Sequence, residues 1–172
     1  MIEQVGDIAV IHAIIPEGNQ NRSGILRDIR YIVIHETDNF TVSADAFRHA
    51  MYLNTNVNDI NSWHYTVDDH SIYHHLPDEE VGWHAGDGQM DYGGNMAGVG
   101  IEMCVNQGND FEKTLEHTAR LTATLLQAYN LEIKDVKRHQ DFSGKNCPAH
   151  LLDEKDWKQF LEQVKQYYDE IK

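Results

Sequence analysis

The segment His139-Gln140-Asp141-Phe142-Ser143-Gly144-Lys145-Asn146-Cys147-Pro148 sets an imidazole and a thiol eight positions apart, with a lysine between them. Zinc binds imidazole nitrogen and thiolate sulfur, and a catalytic zinc keeps only three protein ligands so that a fourth position stays open. The best third ligand is His35, at the end of the apolar run Tyr31-Ile32-Val33-Ile34-His35, where a buried strand delivers its last side chain to a sheet edge. His35, His139 and Cys147 are therefore the candidate metal ligands. Taken alone, the spacing leaves packing open as the alternative, because the chain carries 11 histidines in 172 residues.

A hydrolytic metal site also requires a proton carrier and a cation facing the developing oxyanion. Glu102 interrupts the apolar stretch Val99-Gly100-Ile101-Glu102-Met103-Cys104-Val105, and a carboxylate among such neighbours is costly to bury without a partner. The alternative is an outward-facing strand residue alternating with Ile101 and Met103. Lys145, in a Gly-Lys-Asn turn, could equally be solvated.

The order of several segments adds to this. Ile32 to Thr37, Ser62 to Asp69, Val81 to Gly86, Val99 to Cys104 and His139 to Pro148 together resemble the N-acetylmuramoyl-L-alanine amidases of the type-2 amidase family, which includes the peptidoglycan recognition proteins. The resemblance spans residues 28 to 165. It extends to prophage endolysins of Gram-positive bacteria, whose catalytic domains carry segments similar to Val67-Asp68-Asp69, Gly86-Asp87-Gly88 and Ser143-Gly144-Lys145-Asn146-Cys147-Pro148. It implies a zinc enzyme, a prophage endolysin or an autolysin, with peptidoglycan as its substrate, cutting the amide between the lactyl group of N-acetylmuramic acid and L-alanine. It also implies proton transfer by Glu102, oxyanion stabilisation by Lys145, and substrate contact at His84 and Trp63. Trp63 stands where some relatives place a catalytic tyrosine, which leaves the proton transfer to Glu102. Two rival readings stay open: a module that binds peptidoglycan without cutting it, and a zinc peptidase or deacylase of another substrate.

Composition fits one soluble domain over 1–172, large enough for a core without disulfides. No apolar run approaches the ~20 residues of a membrane span. The acidic start Met1 to Asp7 does not read as a signal peptide, so the expectation is residence in the host cytoplasm until release to the wall. Cys104 and Cys147 are expected reduced, with Cys104 a small buried hydrophobe. A net charge of -14 argues against nucleic acid, which is bound through clustered Lys and Arg. The same charge would be repelled by an anionic wall, so a C-terminal wall-binding module is expected to accompany the domain.

The elements that must position these groups follow from periodicity. The expected class is α/β, a mixed central sheet flanked by helices, with zinc in an open cleft as the family resemblance implies. Residues 1–28 read as an N-terminal arm and about 28–170 as the core, with the first core strand near Arg30 to His35. Thr41 or Ser43 is expected to cap a helix burying Ala44, Phe47 and Met51. Trp63 to Val67 and Ser71 to Leu76 read as a hairpin with Tyr65 in the core, and Val99 to Val105 as a further strand. Lys113 to Asn130 and the Trp157, Phe160, Val164, Tyr168 stripe read as helices, and Asp135 to His139 as a short strand.

Overall fold

The computed structural model describes residues 1–172. Its centre is one mixed sheet in the order β1-β2-β5-β4-β6-β3-β7, formed by Gln4–Val5 (β1), Ile8–His12 (β2), Tyr31–Glu36 (β3), Tyr65–Val67 (β4), Ile72–His74 (β5), Gly98–Met103 (β6) and Val136–Arg138 (β7). β6, β3 and β7 run parallel, and β4 joins β6 in parallel while pairing antiparallel with β5. The β4–β5 pair is the hairpin expected from the sequence.

Alternation along β6 divides its residues between two faces, since successive strand side chains point oppositely. Val99, Ile101 and Met103 enter the main core with Ile32 and Ile34 of β3. Two long helices cover that face: Phe111–Ala128 (α3), capped by Asp110, and Glu154–Glu170 (α5), capped by Asp153. They supply Leu121, Leu125, Trp157, Phe160 and Val164 to the same core. Gly98, Gly100 and Glu102 are left for the opposite face, where Ala46–Thr55 (α1) packs over β4 and β5. Two single-turn helices, Gly94–Ala97 (α2) and Gln140–Ser143 (α4), shape the loops on this side.

Two expectations are corrected here. The N-terminal segment is not an arm lying outside the core: β1 and β2 extend the sheet, β2 pairing in parallel with β5, and Val5 and Val10 belong to the main core. Helix α1 is capped by Asp45 rather than Thr41 or Ser43, and it buries Ala46, His49, Ala50 and Leu53. Phe47 and Met51 stay 47% and 45% exposed, because the side that meets β4 is the one carrying small residues and a histidine.

Candidate metal centre and its cleft

Three elements bring the candidate ligands together. His35 is the fifth residue of β3, and the register of β3 on β6 places Glu102 directly beside it. β7 pairs with β3 up to Ile34↔Arg138, so the next residue, His139, emerges alongside His35 and donates its backbone N–H to the Ile34 carbonyl at 3.2 Å. The chain then turns through α4 and returns Cys147. The His35, His139 and Cys147 side chains are buried, and their ligand atoms all lie within 4.8 Å of one another.

The donor set suits zinc. Two imidazoles and a thiol converge, with His35 Nδ1 and His139 Nδ1 2.9 Å apart. Burial, followed by the neighbouring His84, His139 and Lys145, holds His35 neutral well below its usual range, which leaves a lone pair for a metal. The Cys147 thiol is pushed up to about 12, first by burial and then by Glu102. Such a thiol is a poor free nucleophile, and a cation beside it is what would favour the thiolate. The buried Oε2 of Glu102, the residue beside His35, has no hydrogen-bond partner, as a group suited to a ligand would.

Support around the ligands comes from side chains distant in sequence. The Glu36 backbone N–H donates to Cys147 Sγ at 3.4 Å. The Glu36 carboxylate is buried and accepts the His150 backbone N–H at 2.7 Å, with His150 Nδ1 at 2.9 Å from its other oxygen. One residue therefore ties the Cys147 loop to the end of β3 at two levels. On the other side, Asn95 Oδ1 accepts the backbone N–H groups of His84 and Ala85, both at 2.7 Å.

His139 opens from this cluster onto a cleft. A cavity of about 450 Å³ is lined by Glu102, His139, Lys145, His84 and Trp63, together with Arg48, His49, Tyr52, Asn61 and Trp83. A second cavity of about 530 Å³ shares Asn61, Trp83, His84, His139 and Lys145, so the cleft continues past the ligands on both sides. Glu102 Oε1 is 3.9 Å from His35 Nδ1. Burial raises the Glu102 carboxyl to about 8, with Glu36 adding and Lys145 opposing, which sets a proton carrier near neutral pH.

All seven residues singled out in the sequence thus meet in one place, although their positions differ in kind. Lys145 is exposed at the cleft, whereas His84 is buried against His35 and presents little surface to a substrate. Trp63 lines the cleft and donates from Nε1 to Thr66 Oγ1 at 2.7 Å. Tyr65 is fully buried and stacked on His74, away from the cleft. Arg48, Tyr52, Asn61 and Trp83 as cleft residues, and Glu36 and Asn95 as supports, were not singled out. Trp83 alone carried a signal, since it sits beside His84 in Gly82-Trp83-His84-Ala85-Gly86.

Comparison with known proteins agrees with this geometry. The family model described as N-acetylmuramoyl-L-alanine amidase matches residues 26–150. N-acetylmuramoyl-L-alanine amidase XlyA of Bacillus subtilis (strain 168) is 45% identical over 146 residues, covering 85% of this chain and 48% of that protein. N-acetylmuramoyl-L-alanine amidase CwlH of the same organism is 44% identical over 147 residues, covering 86% and 57%. The solved catalytic domain of XlyA superposes with a TM-score of 0.86 at 43% identity, covering 91% of this chain and 99% of the domain. The chain spans about half the length of the curated relatives it matches.

Proposed function

We propose that this chain, which belongs to the N-acetylmuramoyl-L-alanine amidase family, is a zinc-dependent amidase of the endolysin type. Its substrate is peptidoglycan, and the bond it hydrolyses is the amide between the lactyl group of N-acetylmuramic acid and the L-alanine of the stem peptide. The observation that carries the reading is the convergence of the buried His35, His139 and Cys147 at an open cleft that His139, Glu102 and Lys145 line. The names of the relatives supply the bond, which the geometry alone would leave as any accessible amide.

His35, His139 and Cys147 would hold the metal. Zinc, when bound, supplies a Lewis acid and a lowered pKa for water. Glu102 takes the proton from the attacking water, its carboxylate standing beside His35 with Oε1 3.9 Å from His35 Nδ1. As the tetrahedral intermediate forms, the Lys145 ammonium faces the developing oxyanion from the cleft wall. Glu102 then returns the proton to the alanine nitrogen, so one group serves as base and acid in turn. Trp63 and Trp83 offer aromatic faces along the cleft for sugar or peptide. No helix is long and apolar enough to cross a membrane, and the proposed site of action is the bacterial cell wall.

Digestion of purified walls tests the reading. New L-alanine amino termini should appear with the glycan strands intact, and those termini should fail to appear with Cys147→Ser. Cleavage elsewhere in the stem peptide would make the chain a peptidase. Wall binding without any cleavage by zinc-replete protein would make it a recognition module.

A further inference from the structure

His84 lies behind the candidate ligands rather than among them. Its Nδ1 is 3.0 Å from His35 Nε2, the nitrogen of His35 that points away from His139. Its own Nε2 lies 3.3 Å from the Gly98 carbonyl oxygen at the start of β6. A carbonyl oxygen only accepts, and a neutral imidazole carries one donor and one acceptor nitrogen. His84 must therefore hold its proton on Nε2 and present a lone pair at Nδ1. His35 must in turn donate from Nε2, which leaves Nδ1 unprotonated, 2.9 Å from His139 Nδ1 and 3.9 Å from Glu102 Oε1. The opposite pair of tautomers would set two lone pairs against each other at Gly98.

The chain is built to seat this ring. A Cβ at position 100 would come within 2.8 Å of the His84 ring, so glycine is required there, and one at position 82 would sit tightly at 3.0 Å from the His64 ring and 3.2 Å from that of His84. The Asn95 amide oxygen holds the backbone of His84 and Ala85. The His84 ring stands at 88° to that of His35.

We propose that His84 is a positioning residue: with the Gly98 carbonyl it locks His35 in the tautomer whose Nδ1 is free for a metal. The consequence for zinc rests on the functional reading above, whereas the tautomer itself can be read without metal. Ligating histidines are oriented through the hydrogen bond made by the other ring nitrogen, and removing such a partner typically weakens metal binding ~10–100-fold.

The experiment is two-bond ¹H–¹⁵N correlation of the imidazoles, in zinc-loaded and chelator-stripped protein. The expected result is a proton on Nε2 of both His35 and His84 in each form, with the His35 Nδ1 resonance moving when zinc is added. A proton on His35 Nδ1 in the stripped protein, or zinc on His35 Nε2, would overturn the proposal. If zinc fails to bind while both Nε2 protons are present, the lock stands and the zinc reading falls. In a second measurement, His84→Ala should lower zinc affinity ~10–100-fold in chelator competition, and affinity within twofold of the parent in a folded variant would also overturn it.

Discussion

Glu102 is asked to accept and then return a proton, and both halves require a carboxyl poised near working pH. Burial gives it that poise, at about 8 before any metal charge acts on it, and a bound cation would draw it lower. Glu102→Gln keeps the shape and removes the proton carrier. It should retain zinc and thermal stability while turnover falls at least ~100-fold, as read by release of L-alanine termini alongside metal analysis. Near-parental turnover would make Glu102 a strand residue and nothing more. Lys145→Ala should lose ~100–1,000-fold with zinc retained, the range seen when one oxyanion donor is removed, and a change confined to KM would assign Lys145 to binding instead. At this scale the candidate ligands could be singled out because one of only two thiols stands eight positions from an imidazole, and the family resemblance rather than the spacing separated His35 and His139 from the other histidines. The placement of His84 against His35 was not, because it depends on which ring nitrogen meets which neighbour across 49 residues of chain.

Elements turn these side chains into a site through register. The pairing of β3 with β6 sets His35 beside Glu102, and the pairing of β3 with β7 sets His139 beside His35. A slip of one residue would send each to the helix-covered face. The third candidate ligand has no strand of its own. Cys147 lies in the stretch between α4 and α5, and Glu36 ties that stretch to β3 by accepting the His150 N–H and donating its own N–H to the sulfur. Glu36→Ala should therefore speed zinc loss to a chelator by about tenfold or more, by analogy with other outer-shell partners, while Glu36→Gln, which still accepts from His150, should lie near the parent. Equal rates in all three proteins would show that the loop holds itself. The long helices and the apolar strands could be read from periodicity, because each buries a continuous stripe. The N-terminal strands could not. β1 has two residues and β2 five, with exposed positions between buried ones, and only pairing with β5 gives them a place. α1 misled for a different reason: its larger apolar residues, Phe47 and Met51, are exposed while Ala46, Ala50 and Leu53 face the sheet.

Across the whole molecule, the unusual feature of the interior is its imidazole content. His35, His64, His74, His75 and His84 are all fully or nearly fully buried. His64 accepts the Gly100 N–H at Nδ1 and lies 2.9 Å from the Glu80 carbonyl at Nε2, while burial and then Arg27 depress its pKa far below the usual range. His75 is held down to about 3, first by burial and then by His74, and its Nε2 lies 2.8 Å from Thr66 Oγ1. In the unfolded chain these rings titrate near the ordinary histidine value of ~6.5. Between that value and about 3 the unfolded state takes up a proton that folded His75 refuses. The stability that His75 contributes is then fully present above pH ~6.5 and lost as the pH falls below it, by up to about 1.4 kcal/mol per pH unit. Urea unfolding of the metal-free protein between pH 6.5 and 5, a window above most carboxylate titration, should show this decline. His75→Gln, which keeps a polar group near Thr66 and cannot be protonated, should flatten the slope by up to about 1.4 kcal/mol per pH unit whatever its effect on stability at pH 7. Parallel slopes for the two proteins would mean that His75 charges within the fold, and that its burial places no limit on stability in acid.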